Sequence, residues 1–196
     1  MSVTNDVQKK EIIKSAAREL FFRFGFNKTS MEDIAHQSKM AKPSLYYYYP
    51  SKESIFNEIV IEEATHFMDI VERKIPQALP ANEKIAYFFR TIYKDLNVYA
   101  KNMAETPEII YECSPHGRPI VNKINELFLE KLLPLLEAGQ NEEILVNSDR
   151  QVIASTLVLM TDFLNPDWIS RYPEEIRDQI VETMIDIILH GLKRRK

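Results

Sequence analysis

Lys42-Pro43-Ser44-Leu45-Tyr46-Tyr47-Tyr48-Tyr49-Pro50-Ser51-Lys52 sets four consecutive tyrosines between two prolines, with a lysine outside each. Proline suits the first turn of a helix, where its missing N–H has no intrahelical partner to lose. Pro50 disfavours the α conformation at Tyr49 and so stops the helix there. The result is a helix of about two turns, too short to stand alone. Neighbouring elements must hold it, and its surface of aromatic hydroxyls flanked by positive charge suits contact with phosphates and base edges.

Working outward, the whole chain reads as all-α. Only 4 glycines occur in 196 residues, and apolar and charged residues alternate at helical spacing. A hydrophobic content of 45% is ample for a core. A single cysteine, Cys113, permits no intrachain disulfide and no cysteine-based zinc site. No apolar run follows a basic start and no uncharged apolar stretch is long enough to span a membrane, so a cytoplasmic protein without a membrane partner is expected. The net charge of −4 divides unevenly. Residues 1–52 carry nine Lys/Arg against five Asp/Glu, a net of +4, and residues 53–196 carry sixteen against twenty-four, a net of −8. A basic head on an acidic body keeps attraction to polyanions local.

The head contains the partners of the tyrosine helix. Ile13, Ala17, Leu20 and Phe24 recur at helical spacing, with Ala16 and Phe21 widening the stripe, which predicts a helix over roughly residues 5–24. Gly25 ends it, with Phe26 making the apolar contact of a glycine C-cap. Thr29 and Glu32 have capping-box spacing and open a second helix, buried through Ile34 and Ala35 and finished by Gln37. Two short helices joined by a tight turn form a helix-turn-helix, although an ordinary helical hairpin has the same outline. On a helical wheel Leu45 and Tyr49 fall together toward the core, Tyr46 flanks, and Pro43, Ser44, Tyr47 and Tyr48 lie opposite.

Residues 12–60 resemble the tetracycline-repressor-like (TetR) family of bacterial transcription regulators. The resemblance rests on the ordered string Ala16-Ala17, Leu20-Phe21, Gly25-Phe26, Thr29-Ser30, Asp33-Ile34-Ala35, Ser44-Leu45-Tyr46, Tyr48, Ser51-Lys52-Glu53 and Phe56. It implies that Thr29 and Ser30 offer a hydroxyl and free amides to a DNA phosphate. It places Lys42, Pro43, Ser44, Tyr46 and Tyr47 in the major groove, with Tyr48 and Lys52 on the backbone. Two positions depart from the family pattern: Lys39 stands where the turn usually has glycine, and Tyr49 where phenylalanine is usual. The first puts a Cβ at positive φ, and the second leaves a hydroxyl in need of a partner.

Residues 1–50 are expected to form the DNA-binding domain and residues 51–196 a helical ligand-binding and dimerisation domain, about nine helices in all. Helices are expected from Ser51 to about Lys74, over about 82–104, over about 119–138 with a kink or early end at Pro134 and a stop near Gly139, and over 149–164 and 174–192. The last two carry apolar residues over more than one stripe. A dimer pairing them with their copies is expected, through Val152, Leu159, Phe163, Ile180, Met184, Ile187 and Ile188. The large apolar side chains Tyr87, Phe88, Tyr93, Tyr99, Met103, Tyr111, Phe128, Met160, Phe163 and Trp168 are the candidates for a small-molecule pocket, each also suited to ordinary core. Cys113 and His116 are close in sequence, a pattern more common in structural than in sensing roles. No nucleotide-binding, hydrolase or metalloprotease motif occurs and the four histidines are scattered, so neither an enzyme nor a metal or cofactor site is expected. The expected function is a repressor released from a palindromic double-stranded operator by an apolar or amphipathic effector. A helical module whose exposed tyrosines contact another protein is the alternative, together with a ligand-independent activator.

Overall fold

A computed structural model describes residues 2–102, 118–160 and 171–194, with side chains over 5–96, 120–160 and 171–194. Among these residues there are eight helices: α1 (Ser2–Phe24), α2 (Met31–Gln37), α3 (Lys42–Tyr48), α4 (Lys52–Lys74), α5 (Ala81–Asn102), α6 (Arg118–Asn141), α7 (Arg150–Leu159) and α8 (Glu174–Leu192). The chain forms two compact units, divided inside α4 between Ala64 and Thr65 and inside α6 between Lys123 and Ile124, so that the start of α6 belongs with the first unit.

In the first unit α1 buries Ile13, Ala16, Ala17 and Phe21. Phe24, expected on the buried stripe, is 48% exposed. Its place is taken by Phe26, which follows Gly25 at φ 83° and returns the chain to the core. Phe26 packs its ring 5.4 Å from Phe21 and 5.2 Å from Phe56 of α4, in tilted and edge-on arrangements that aromatic pairs favour.

The cap of α2 also differs from expectation. Ser30, not Thr29, is the N-cap, and Asp33, not Glu32, completes the capping box. The Asp33 N–H donates to Ser30 Oγ at 3.2 Å, and the Ser30 N–H donates to Asp33 Oδ2 at 2.8 Å. Thr29 is buried and donates its hydroxyl to the Gly25 carbonyl at 2.8 Å, closing the turn instead of opening the helix. Past α2, the Lys39 N–H reaches the His36 carbonyl at 3.1 Å and the Met40 N–H the Ala35 carbonyl at 2.9 Å. This is a Schellman ending, and Lys39 occupies its left-handed position at φ 55° without being glycine. The side chain there strains the backbone by about 1 kcal/mol.

α3 begins at the extended Ala41, carries Pro43 in its first turn and ends at Tyr49, whose φ −138° and ψ 119° are the extended geometry a following proline demands. Leu45 and Tyr49 are its buried residues, at 0% and 2% exposure. α4 opens on Ser51 and Ser54, which exchange backbone N–H to hydroxyl bonds at 3.3 Å.

The second unit packs Ile85, Phe88, Phe89, Ile92, Leu132, Leu136, Ala154, Leu157, Val181 and Ile185 into one core. α6 runs through Pro134 to Asn141 without the expected early end, since the exposed proline leaves the carbonyl that lost its partner open to water. Gly139 does not stop it either. A Cβ at Gly139 would overlap the buried Leu145 side chain, so the glycine serves close packing. The chain leaves the helix through Glu143 at φ 57° instead. Beyond it, the Val146 N–H donates to the Leu192 carbonyl at 2.8 Å and the Arg194 N–H to the Ile144 carbonyl at 2.9 Å, tying this turn to the end of α8. α5 and α8 are joined by Tyr93 to Asp178 at 2.7 Å and by Arg90 to Glu182 at 2.8 Å.

Candidate nucleic-acid interface

α1, α2 and α4 grip α3 by its inner side and leave its outer side free. Tyr47 is 78% exposed and Tyr46 45%, and Lys42, Pro43 and Ser44 are exposed with them. Tyr48 is half-buried. The Tyr47 and Tyr48 rings stand edge to face at 5.1 Å, which fixes both outward-facing orientations relative to each other. The Tyr48 hydroxyl donates to Asp6 Oδ1 at 3.1 Å, and Lys9 stands 6.0 Å above the same ring.

A recess of about 420 Å³ opens beside α3, lined by Asn27, Lys28, Thr29, Ser30, Met31, Glu32, Lys42, Tyr46 and Lys52. Of the nine sequence-derived interface residues, Thr29, Ser30, Lys42, Tyr46 and Lys52 line this recess, and Pro43, Ser44 and Tyr47 are exposed on α3. Ser30 donates its hydroxyl to Asp33 Oδ2 at 2.6 Å, and Thr29, Tyr48 and Lys52 are also committed to bonds within the protein. Thr29 uses its hydroxyl internally, as above. Tyr48 is bonded to Asp6. Lys52 Nζ donates to the Phe26 carbonyl at 2.8 Å and the Thr29 carbonyl at 3.0 Å while lying 4.4 Å over the Phe26 ring. It binds the α1–α2 turn to α4 and contributes its charge to the recess rather than a free donor. Lys28 also lines the recess, although nothing in the sequence around it signals this. It follows no periodic pattern, and only the fold of the turn brings it to the recess.

Electrostatics beneath α3 are unusual. Lys14 lies on the buried stripe of α1 with its side chain 3% exposed, and it is ion-paired with Glu62, with Glu11 at 2.6 Å and with Glu58 at 3.6 Å. Burial works to lower the Lys14 pKa, but the hydrogen bonds to Glu11 and Glu62 outweigh it and raise the value. Burial likewise works to raise Glu58, and the hydrogen bond from Lys10 at 3.1 Å helps to hold it below the usual carboxylate range. Tyr49 places its buried hydroxyl near Glu58 without a hydrogen bond of normal geometry, under Lys10 at 4.9 Å from its ring centre. Burial first, then the Glu58 charge, pushes this phenol far above its ordinary value. On the recess rim Lys42 is ion-paired with Glu32, which raises the lysine pKa and keeps it charged. Asp33 is held low by the bonds from Ser30.

In the second unit Phe88, Phe128 and Tyr93 are buried, and Phe88 meets Phe128 edge-on at 5.9 Å. Tyr87 and Met160 are half-buried. The side chains of Tyr99, Met103, Tyr111, Phe163 and Trp168, and Cys113 and His116, lie outside the described residues. Of the expected pairing residues, Val152, Leu159, Ile180 and Ile187 are exposed, Met184 is half-buried, and Ile188 is buried within its own unit. Among the described residues no group of histidine, cysteine or acidic side chains is arranged to hold a metal, and no helix is long and apolar enough to cross a membrane.

A two-turn helix seated by α1, α2 and α4, with its polar side outward, is the recognition element of a helix-turn-helix DNA-binding protein. Residues 13–59 match the model of bacterial regulatory proteins of the tetR family. Over 190 residues the chain is 21% identical to the HTH-type transcriptional regulator YhgD of Bacillus subtilis strain 168, spanning 95% of this chain and 97% of that one. Over 48 residues, 24% of this chain and 23% of the relative, it is 46% identical to the HTH-type transcriptional regulator RutR of Escherichia coli strain K12. The solved structure of Thermus thermophilus FadR, a TetR-family transcriptional repressor in complex with lauroyl-CoA, superposes with a TM-score of 0.67 at 20% identity, covering 95% of this chain and 96% of that one. Residues 13–59 thus carry the helix-turn-helix pattern of the tetR family, and the chain as a whole is similar to bacterial transcriptional regulators.

Proposed function

We propose that this regulator is a cytoplasmic repressor that binds a two-fold operator as a homodimer and leaves it when an apolar or amphipathic small molecule occupies the second unit. The observation that carries the DNA-binding part is the division of α3, with Leu45 and Tyr49 buried and Pro43, Ser44, Tyr46 and Tyr47 presented outward. Residues 1–50 act as the reading domain and residues 51–196 as the effector and pairing domain. Ser30 and Lys52 bring polar and positive groups to the phosphates, and Lys42, Tyr46 and Tyr47 meet base edges. Thr29 and Tyr48 act by holding the turn and the helix.

The dimer reading is supported by the apolar side chains left open on α7 and α8, which continue past the single stripe their own core needs. The effector reading is supported by the aromatic content around Phe88, Phe128 and Tyr93, and by the lauroyl-CoA bound to the structurally similar Thermus thermophilus repressor. α4 belongs to both units, so a ligand that favours one arrangement of the helix also disfavours the DNA-bound one by the same coupling energy.

Electrophoretic mobility shift with genomic fragments across a salt series tests the reading. Retardation that weakens steeply with salt and is reversed by an acyl thioester or similar amphipath is expected. Retardation of no fragment at low salt would favour a protein-binding head instead.

A further inference from the structure

Glu32 of α2 and Lys42, the first residue of α3, are ion-paired across the turn on the recess rim, with side chains 69% and 50% exposed. An exposed ion pair adds little to folding. A carboxylate on a face that approaches DNA also repels the polyanion, so Glu32 lowers affinity for duplex in general. Its presence beside Lys42 therefore calls for a use of another kind.

Hydrogen-bond capacity supplies one. The pair occupies one of the three ammonium donors of Lys42 and one acceptor site of Glu32. Two donors remain, directly beside free carboxylate acceptor sites. In the major groove guanine offers two adjacent acceptors, N7 and O6, and its partner cytosine offers a donor, N4, next to them. An A·T pair places its N6 donor between two acceptors, so one ammonium cannot take both, and the thymine methyl follows. The joined pair thus matches the edge of G·C and not that of A·T. Lys42 sits where the leading residues of a recognition helix meet bases.

We propose that Glu32 is a specificity-determining residue that, joined to Lys42, reads one G·C base pair in each operator half-site, with Lys42 on guanine N7 and O6 and Glu32 accepting from cytosine N4. This rests on the reading of α3 as the recognition helix.

The test selects duplexes from one randomised double-stranded library with the full-length wild-type protein, then measures binding to the selected site with each base pair exchanged in turn. An invariant G·C pair is expected in each half-site, and its exchange for A·T should lower wild-type affinity roughly 5- to 100-fold. Glu32→Ala and Lys42→Met should both lose discrimination at that same pair and keep it elsewhere, and the double variant should lose no more. Glu32→Gln, which keeps the side-chain length, should shift preference there toward A·T, and it serves if alanine weakens α2. Glu32→Ala binding all duplexes more tightly with discrimination intact would show that Glu32 only screens Lys42 and would overturn the proposal. So would relaxation of different base pairs by the two variants. A wild-type protein that selects no site at all would refute the DNA-binding reading instead, which separates the two failures.

Discussion

At the scale of single residues, Tyr47 and Lys14 represent opposite kinds of commitment. Tyr47 is the most exposed of the four tyrosines and touches little but the Tyr48 ring. Removing its ring should leave the fold intact. Tyr47→Ala is expected to weaken operator binding about tenfold while changing binding to random duplex far less, since one lost base contact is worth about 1–3 kcal/mol. Equal losses on both duplexes, measured by fluorescence anisotropy at one salt concentration, would make Tyr47 a backbone contact. Lys14 is the reverse, a buried cation without DNA access. Its raised pKa contributes stability that is complete below the unfolded lysine value and lost only as pH rises through the folded one, so nothing changes near neutrality. Glu58 and Asp69, the latter accepting a hydrogen bond from Lys131 at 3.0 Å, have lowered values, and their contribution is present above the unfolded carboxylate pKa and lost as pH falls through the folded one. Unfolding midpoints in urea should therefore be level near pH 7 and fall below about pH 4. Lys14→Met should shrink the part of that acid loss that comes from Glu58. An identical acid limb in the variant, after correction for its own stability, would mean that Lys10 and Tyr49 hold Glu58 without Lys14.

At the scale of elements, what the sequence makes legible follows from how local each cause is. The bounds of α3 come from Pro43 and Pro50, two residues that act on their own backbone, and its inner side comes from a spacing of four between Leu45 and Tyr49. Such causes are visible in a string of letters. The choice of Ser30 over Thr29 as cap is not, because both have the right chemistry and the decision rests on the Gly25 carbonyl taking the Thr29 hydroxyl. Phe24 lies on the apolar spacing of α1 yet is exposed, because the turn at Gly25 sends Phe26 into the aromatic cluster instead. Lys14 reads as a surface lysine until α4 brings Glu58 and Glu62 to it. Gly139 is the clearest case, since its role depends on Leu145 folding back over the helix. Gly139→Ala would be mildly stabilising in an exposed helix. Here the added methyl meets a buried leucine, and a loss of about 1–3 kcal/mol is expected in thermal or urea unfolding. Gly191 is a control, because a Cβ there meets nothing within 4 Å. Gly191→Ala should leave stability unchanged or raise it, and equal losses at both positions would remove the packing explanation.

At the scale of the whole molecule, α7 and α8 carry an apolar surface that their own unit does not cover. Leu159 is 80% exposed, Val152 64% and Ile187 62%. Ile176, Ile180 and Ile187 follow one another at helical spacing on the outer side of α8, while Val181, Ile185, Ile188 and Leu192 fill the inner side. One helix carrying two apolar sides needs two partners, and the second unit supplies one. A two-fold copy is the economical source of the other, since a self-complementary patch closes on itself and leaves no edge to propagate. The DNA-binding proposal depends on it. A single head with a two-turn recognition helix has few contacts, and a linked pair raises affinity for a double half-site by the effective concentration of the second head, commonly 100-fold or more. Charges of one sign on the patch should break the pairing without touching either core. Leu159→Glu with Ile187→Glu is expected to halve the mass in analytical ultracentrifugation. It should also remove the dependence of melting temperature on protein concentration. Operator affinity should fall about 100-fold, while the weak, salt-sensitive affinity for random duplex, which one head suffices to provide, stays within a few-fold of wild type. A variant that remains dimeric would move the interface to another surface. One that becomes monomeric yet keeps operator affinity would mean that each head reads its site alone, and the two-fold operator would have to be abandoned.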